Sequence, residues 1–222
     1  MAWAVPVAIG ASGCSESRTP DDITFDAAGD REVRDAPPDV DELVVCGDPD
    51  SLTTPLDPDE RRAFFDGCER FLGSVSFSDR PVVSPEIYRT VQIIEGFVNF
   101  LRNNELRSMD GFDSLRVVEG RFVIRNAPVL TDLRALGNLE RIGGRLELES
   151  NWALESLEGL QRLESIGALT WINGGEVSPL ELTGLREIRG DVRIRSVPRA
   201  DVEAFLSQVR VDGEIDVTYP DE

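Results

Sequence analysis

The chain has no histidine and no lysine, and its three cysteines, two methionines and two tyrosines are sparse for 222 residues. The missing histidine removes the commonest general base and the commonest metal ligand together. A Ser-His-Asp or Cys-His nucleophile is excluded outright, so the sequence is expected to be non-catalytic and to hold no cofactor or metal. Without lysine, all 23 cations are arginine, against 42 acids, for a net charge of −19. A phosphate backbone needs clustered cations, so nucleic acid is not an expected partner. A basic surface for anionic lipid is disfavoured for the same reason. Strong self-repulsion keeps a protein soluble and points to a monomer. Long apolar runs are missing too. Met1 to Ser12 carry no charge, but a bilayer span needs about 20 residues.

That opening run, "MAWAVPVAIGASGC", has the length of a signal-peptide apolar region. Its end, "ASGC" (Ala11 to Cys14), resembles a bacterial lipobox, although Ala11 stands where leucine is usual and no basic segment precedes the run. The resemblance implies a diacylglyceryl thioether on Cys14, and so membrane contact through that lipid alone. The alternatives are a cleaved signal without lipid and a loose N-terminal tail. Ser15 to Glu42 hold ten acids against three arginines, with Pro20, Pro37 and Pro38. So few large apolar residues cannot offset the ordering entropy, and an extended acidic tether is expected.

With Cys14 lipidated, Cys46 and Cys68 remain as an even pair. In an oxidising compartment they are expected to form a disulfide; two buried thiols are the alternative. Between them, "LDPDERRAFFDGCERFL" offers Asp57 as N-cap, Pro58 at the first helical position and Glu60 to complete a capping box. Phe64, Phe65, Cys68, Phe71 and Leu72 follow at helical spacing. A helix from about Pro58 to Leu72 is expected to cap the fold. Asp48, Asp50, Asp57 and Asp59 lack the glycine and closing glutamate of a calcium loop, so a solvated, helix-capping role is preferred.

From Phe97 a 24-residue register sets in. Its second position holds Val98, Phe122 and Leu146, and its fourth Phe100, Ile124 and Leu148. Five more apolar columns follow: Leu106, Leu130, Leu154; Met109, Leu133, Leu157; Phe112, Leu136, Leu160; Leu115, Leu139, Leu163; and Val118, Ile142, Ile166. Gly120, Gly144 and Ala168 close the units. Such a period marks a solenoid, in which stacked units bury one continuous core. Positions two and four alternate with polar residues as a strand does. Asn103, Asn126, Asn151 and Asn173 stand near strand ends, where they are expected to bond backbone groups. Weaker copies begin at Gly73 and Gly190. "RADVEAFLSQV" (Arg199 to Val209) reads as a helix and "GEIDVTY" as a last strand. In the irregular unit from Leu169 to Gly190, either Leu169 and Trp171 or Thr170 and Ile172 point inward. The former pair is preferred because it buries more apolar area.

The stretch "IGGRLELESNWALESLEGLQRLESIG" resembles the receptor L-domain, the leucine-rich right-handed β-helix of the insulin and EGF receptor family, and especially its versions in bacterial surface lipoproteins. The likeness runs from about Cys68 to Val217. It implies a mainly β chain: a right-handed β-helix or leucine-rich solenoid of about 24-residue repeats, with parallel strands, an N-terminal capping helix and a short helix near the C-terminus. The expected organisation is a leader with lipobox (1–14), an acidic tether (15–42), a capping segment (43–72) and the solenoid (73–222). No binding residue of the receptors can be matched to a position here.

The expected outward strand positions are Asn99, Leu101, Val123, Arg125, Glu147, Glu149, Arg193, Arg195, Asp216 and Thr218. Val123, Arg125, Glu147 and Glu149, at the middle of the ladder, are the candidate ligand face, with an exposed valine among mixed charges. The expected function is a surface-tethered module that binds a protein or glycan. A passive envelope component is the alternative, in which the charges only solvate the face. A glycosidase built on Glu147 and Glu149 is a weaker option, because a flat face offers no cleft.

Overall fold

A computed structural model describes residues 43–47, 64–78, 85–172 and 177–220. The chain divides into one unit of Met1–Val44 and another of Val45–Glu222, and the fold below is that of the second. Cys14, the leader, the acidic tether, Asp48, Asp50, Asp57, Asp59 and Asn173 lie outside the described residues.

Among the described residues the architecture is mainly β, one parallel sheet with one complete α-helix. The four-residue strands are β3 (Val75–Ser78), β5 (Val98–Leu101), β7 (Phe122–Arg125), β11 (Val192–Arg195) and β13 (Ile215–Thr218), and apolar and polar residues alternate throughout β3, β11 and β13. Two-residue strands accompany them: β1 (Val45–Cys46), β2 (Arg70–Phe71), β4 (Ile93–Ile94), β6 (Val117–Val118), β10 (Glu187–Ile188) and β12 (Arg210–Val211). The longest strands are β8 (Arg141–Glu149) and β9 (Ser165–Ile172). The helix α1 spans Arg199–Gln208 and buries Val202 and Phe205.

Among the described residues every pairing is parallel. Val98, Phe122, Leu146, Leu169, Val192 and Ile215 are successive partners along one ladder, so the chain returns to the same place after 24 or 23 residues. A second ladder runs through β1, β2, β4, β6, β8, β9, β10 and β12. The ladders merge at β8 and β9, which cross the corner without a break except for a shift between Ile142 and Arg145. Gly144 stands in that shift. A Cβ there would lie 2.7 Å from the Gly120 carbonyl carbon, and one on Gly120 would lie 2.5 Å from the Gly96 oxygen. Backbones this close exclude any larger residue, which is why glycine recurs at the corner.

All seven apolar columns are buried, from Val98, Phe122 and Leu146 to Val118, Ile142 and Ile166. Leu169 and Trp171 are buried as well, as the area argument prefers, and pair with Leu146 and Leu148. Aromatic side chains gather toward the start of this core. Phe77 stacks on Phe100 at 5.1 Å and Tyr88 on Phe112 at 5.3 Å, while Phe65 meets Tyr88 edge-on at 4.7 Å.

Cys46 and Cys68 form the disulfide, with Cα atoms 5.7 Å apart. It ties β1 to the residues just before β2. The capping helix expected to Leu72 needs correction. Residues 58–63 lie outside the described set, Phe64 and Phe65 are helical, and the helix does not continue. Gly67 has φ +71, a left-handed conformation that ends helices. Beyond it Arg70 and Phe71 are a strand, paired with Val45 and Cys46 on one side and Ile93 and Ile94 on the other. Two neighbouring backbones outcompete the helical spacing of the phenylalanines.

Candidate functional site

The four-residue strands present their outward side chains as rows that run from rung to rung. Pairing sets Asn99 beside Val123, Val123 beside Glu147, and Glu147 beside Thr170. Neighbouring parallel strands lie about 4.8 Å apart, so each row is a closely spaced line of side chains. All four of these residues are buried, Val123 to 4% exposure and Glu147 to 6%.

The exposed valine expected here is therefore a buried one. The reason lies in its own strand. Two residues before it, Arg121 bends toward β5 and its Nε donates to Asn99 Oδ1 at 3.2 Å. Two residues after it, Arg125 bends toward β8 and its Nη2 donates to Glu147 Oε1. Val123 lies between two long side chains that both lean over the middle row.

Arg125 also reaches Glu149, Nε to Oε2 at 2.8 Å. Three of the four candidate residues are thus brought together as a guanidinium between two carboxylates. Glu147 is the buried member, with a side chain 7% exposed against 43% for Arg125. Both glutamates are engaged by one arginine. Further along the face, Arg193 Nε lies 3.3 Å from Asp216 and Arg195 Nη2 lies 2.5 Å from it. The hydrogen bond from Arg195, and then the charges of Arg195 and Arg193, hold the Asp216 carboxyl below the usual aspartate range. Arg121 is different: its guanidinium lies over the Phe97 ring at 4.7 Å. On the next rung Arg145 is exposed, and its side chain makes no hydrogen bond or ion pair among the described residues.

No family model, curated protein or solved structure matches the chain.

The chemistry of the face is read from its own residues, and the corner beside it sets its edge. Arg102, Asn126, Ser150 and Ser196 all have φ between 52° and 60°. This left-handed column turns the chain out of each strand. Asn151 follows, fully buried; its Oδ1 accepts from the Ala127 N–H at 3.0 Å and its Nδ2 donates to the Ile124 carbonyl at 2.9 Å. Of the corner asparagines it alone fulfils the expected side-chain role among the described residues. Asn126 is exposed and serves through its backbone conformation. The amide of Asn103 is buried with neither polar atom bonded.

Sequence reasoning missed a second charged surface, on the ladder of short strands. There Arg70 pairs with Glu95, Arg116 with Glu140 at 2.9 Å, and Arg141 with Glu119. The signal was present, because Arg116, Glu140 and Glu164 share one position of the 24-residue register. A depression beside this surface is lined by Glu140, Gln161, Arg162, Glu164, Gly184 and Arg186.

Proposed function

We propose that the chain is a monomeric, non-catalytic protein of the bacterial cell envelope that presents a receptor L-domain-like right-handed β-helix for binding an extracellular protein or glycan. The observation that carries this is the ladder face: six successive rungs in register, stepping by 23 or 24 residues over a continuous apolar core. Such a face holds side chains at set spacings, which suits recognition of an extended surface better than chemistry on a small molecule. Glu147 and Glu149, the carboxylates a glycosidase would use here, both serve Arg125.

Anchoring belongs to the same proposal. The "ASGC" motif at Cys14 supplies the lipid, and the Cys46–Cys68 disulfide supports export, since such bonds persist in oxidising compartments. Among the described residues no helix is long and apolar enough to cross a membrane. Mass spectrometry of the mature N-terminus tests the anchor: an acylated Cys14 is expected, and an intact Met1 contradicts it.

One observation favours a passive envelope role instead. Much of the charge on the face is consumed internally, by Arg125 with Glu147 and Glu149, and by Asp216 with Arg193 and Arg195. A pull-down from native envelope with the full chain separates the two readings. Binding predicts one partner at a fixed ratio, lost in Glu149→Arg and kept in Arg162→Gln. A passive role predicts no partner that distinguishes the variants.

A further inference from the structure

The two ends of the main ladder differ. Its two inward columns are sealed on every rung from Val75 and Phe77 to Val192 and Ile194, with no member more than 7% exposed. On β13 the same columns hold Ile215, 50% exposed, and Val217, half-buried. Among the described residues β13 pairs with β11 alone. The Val192 N–H donates to the Glu214 carbonyl at 2.8 Å, and the Ser196 N–H to the Thr218 carbonyl at 3.1 Å. Backbone groups of successive residues turn to opposite edges of a strand, so those of Ile215 and Val217 face away from β11. Side chains alternate too, which sets Glu214, Asp216 and Thr218 outward. Glu214 is exposed, and its side chain makes no hydrogen bond or ion pair among the described residues. From Asp212 to Thr218 there are three acids and no cation.

We infer that the open edge of β13 receives an extended segment of a protein partner in which basic and apolar residues alternate. The inference rests on the binding role proposed above and names the chemistry of its ligand. Backbone bonds to Ile215 and Val217 hold the segment as a further rung, the way extended peptides add to exposed sheet edges. In register, its apolar residues cover Ile215 and Val217, the uncovered end of the core. Its basic residues lie about 4.8 Å from the outward row and meet acids there. Asp216 already holds Arg193 and Arg195, so Glu214 is the acid left to the partner. A second copy of this chain is a poorer occupant. Two β13 edges related by a two-fold axis bring acidic rows together, and like charges across strands repel. The opposite end of the ladder, at β3, offers no uncovered apolar column, since Val75 and Phe77 are buried.

The test uses the full chain and three fluorescent octapeptides: alternating arginine and valine, alternating glutamate and valine, and the arginine form N-methylated at every backbone amide. The third keeps the charge but cannot donate a backbone hydrogen bond, so it separates edge pairing from simple attraction to an acidic chain. Fluorescence anisotropy is expected to show binding of the first peptide, none of the second, and binding at least about tenfold weaker for the third. Ile215→Pro removes an N–H that β11 does not use, at the first residue of an edge strand, where proline is tolerated. It should weaken the first peptide about tenfold and leave the circular dichroism spectrum as in the parent. Glu214→Arg, at an exposed and unpaired side chain, should weaken it about as much with no fall in melting temperature. Glu158→Gln, on a loop, should bind as the parent does. Failure of the first peptide to bind, equal affinity for its N-methylated form, or parental affinity in Glu214→Arg overturns the inference. A dimer that Ile215→Pro dissolves overturns it as well. An envelope partner that is lost in Glu149→Arg but held at parental affinity by Ile215→Pro overturns it too, while leaving the binding role intact.

Discussion

Arg125 shows how much a single side chain can do on a parallel ladder. It lies between two carboxylates of the next strand, and the inner one, Glu147, is nearly closed off from water. A buried carboxylate without its partner is costly, about 3–5 kcal/mol when the pair is wholly buried. Arg125 is itself 43% exposed, so solvent screening reduces the figure. Arg125→Glu would gather three acids at one spot and is expected to destabilise the fold by about 1–3 kcal/mol, read as a lower denaturation midpoint with an unchanged slope. A midpoint equal to that of the parent would mean that Glu147 is not held by this pair. Asn151 and Asn103 allow a cleaner comparison. Both amides are buried, but only Asn151 makes two backbone hydrogen bonds. Asn151→Ala should cost about 1–3 kcal/mol, since it strands an N–H and a carbonyl. Asn103→Ala removes an amide that bonds nothing and should cost clearly less. Equal losses would show that burial alone, and not the bonding, sets the value of these asparagines.

At the level of elements, the last strand is mostly exposed, with Val217 packed against the core. Ile215 is half exposed and Asp216 and Thr218 are open to solvent. Besides its backbone pairing with β11, β13 is held by Asp216 against Arg193 and Arg195. The folded-state pKa of Asp216 is lowered. Its contribution is therefore complete above the ordinary aspartate value of about 3.9 and is lost as the pH falls through the lower folded value. Amide exchange at Ile215 to Thr218 should accelerate in that acid window relative to Phe122 to Arg125. In Asp216→Asn the difference between the two strands should no longer change with pH. The elements also show what local sequence can reveal. Strand phase and the seven core columns were legible, because alternation and a 24-residue period are properties of the chain itself. The end of the N-terminal helix was not. Phe64, Phe65, Cys68 and Phe71 fit a helical face, yet Gly67 ends the helix and pairing on both sides makes Arg70 and Phe71 a strand. The candidate face was half legible. Register placed Arg125, Glu147 and Glu149 together. The burial of Val123 was hidden, because it depends on which way Arg121 and Arg125 lean, and the alternation of residue types carries no trace of that.

Over the whole molecule, a parallel ladder with a continuous core and two charged surfaces asks where a partner would sit. The strand face and the loop columns are distinct answers. Glu149 lies on the face at the end of β8, and Glu158 projects from a loop with its side chain 64% exposed. A photo-reactive residue placed at either position, in full-length protein in its native envelope, separates them directly. Cross-linking of one partner from position 149, absent from position 158, is the predicted result. Cross-linking from 158 with none from 149, or from neither, would contradict recognition by the strand face.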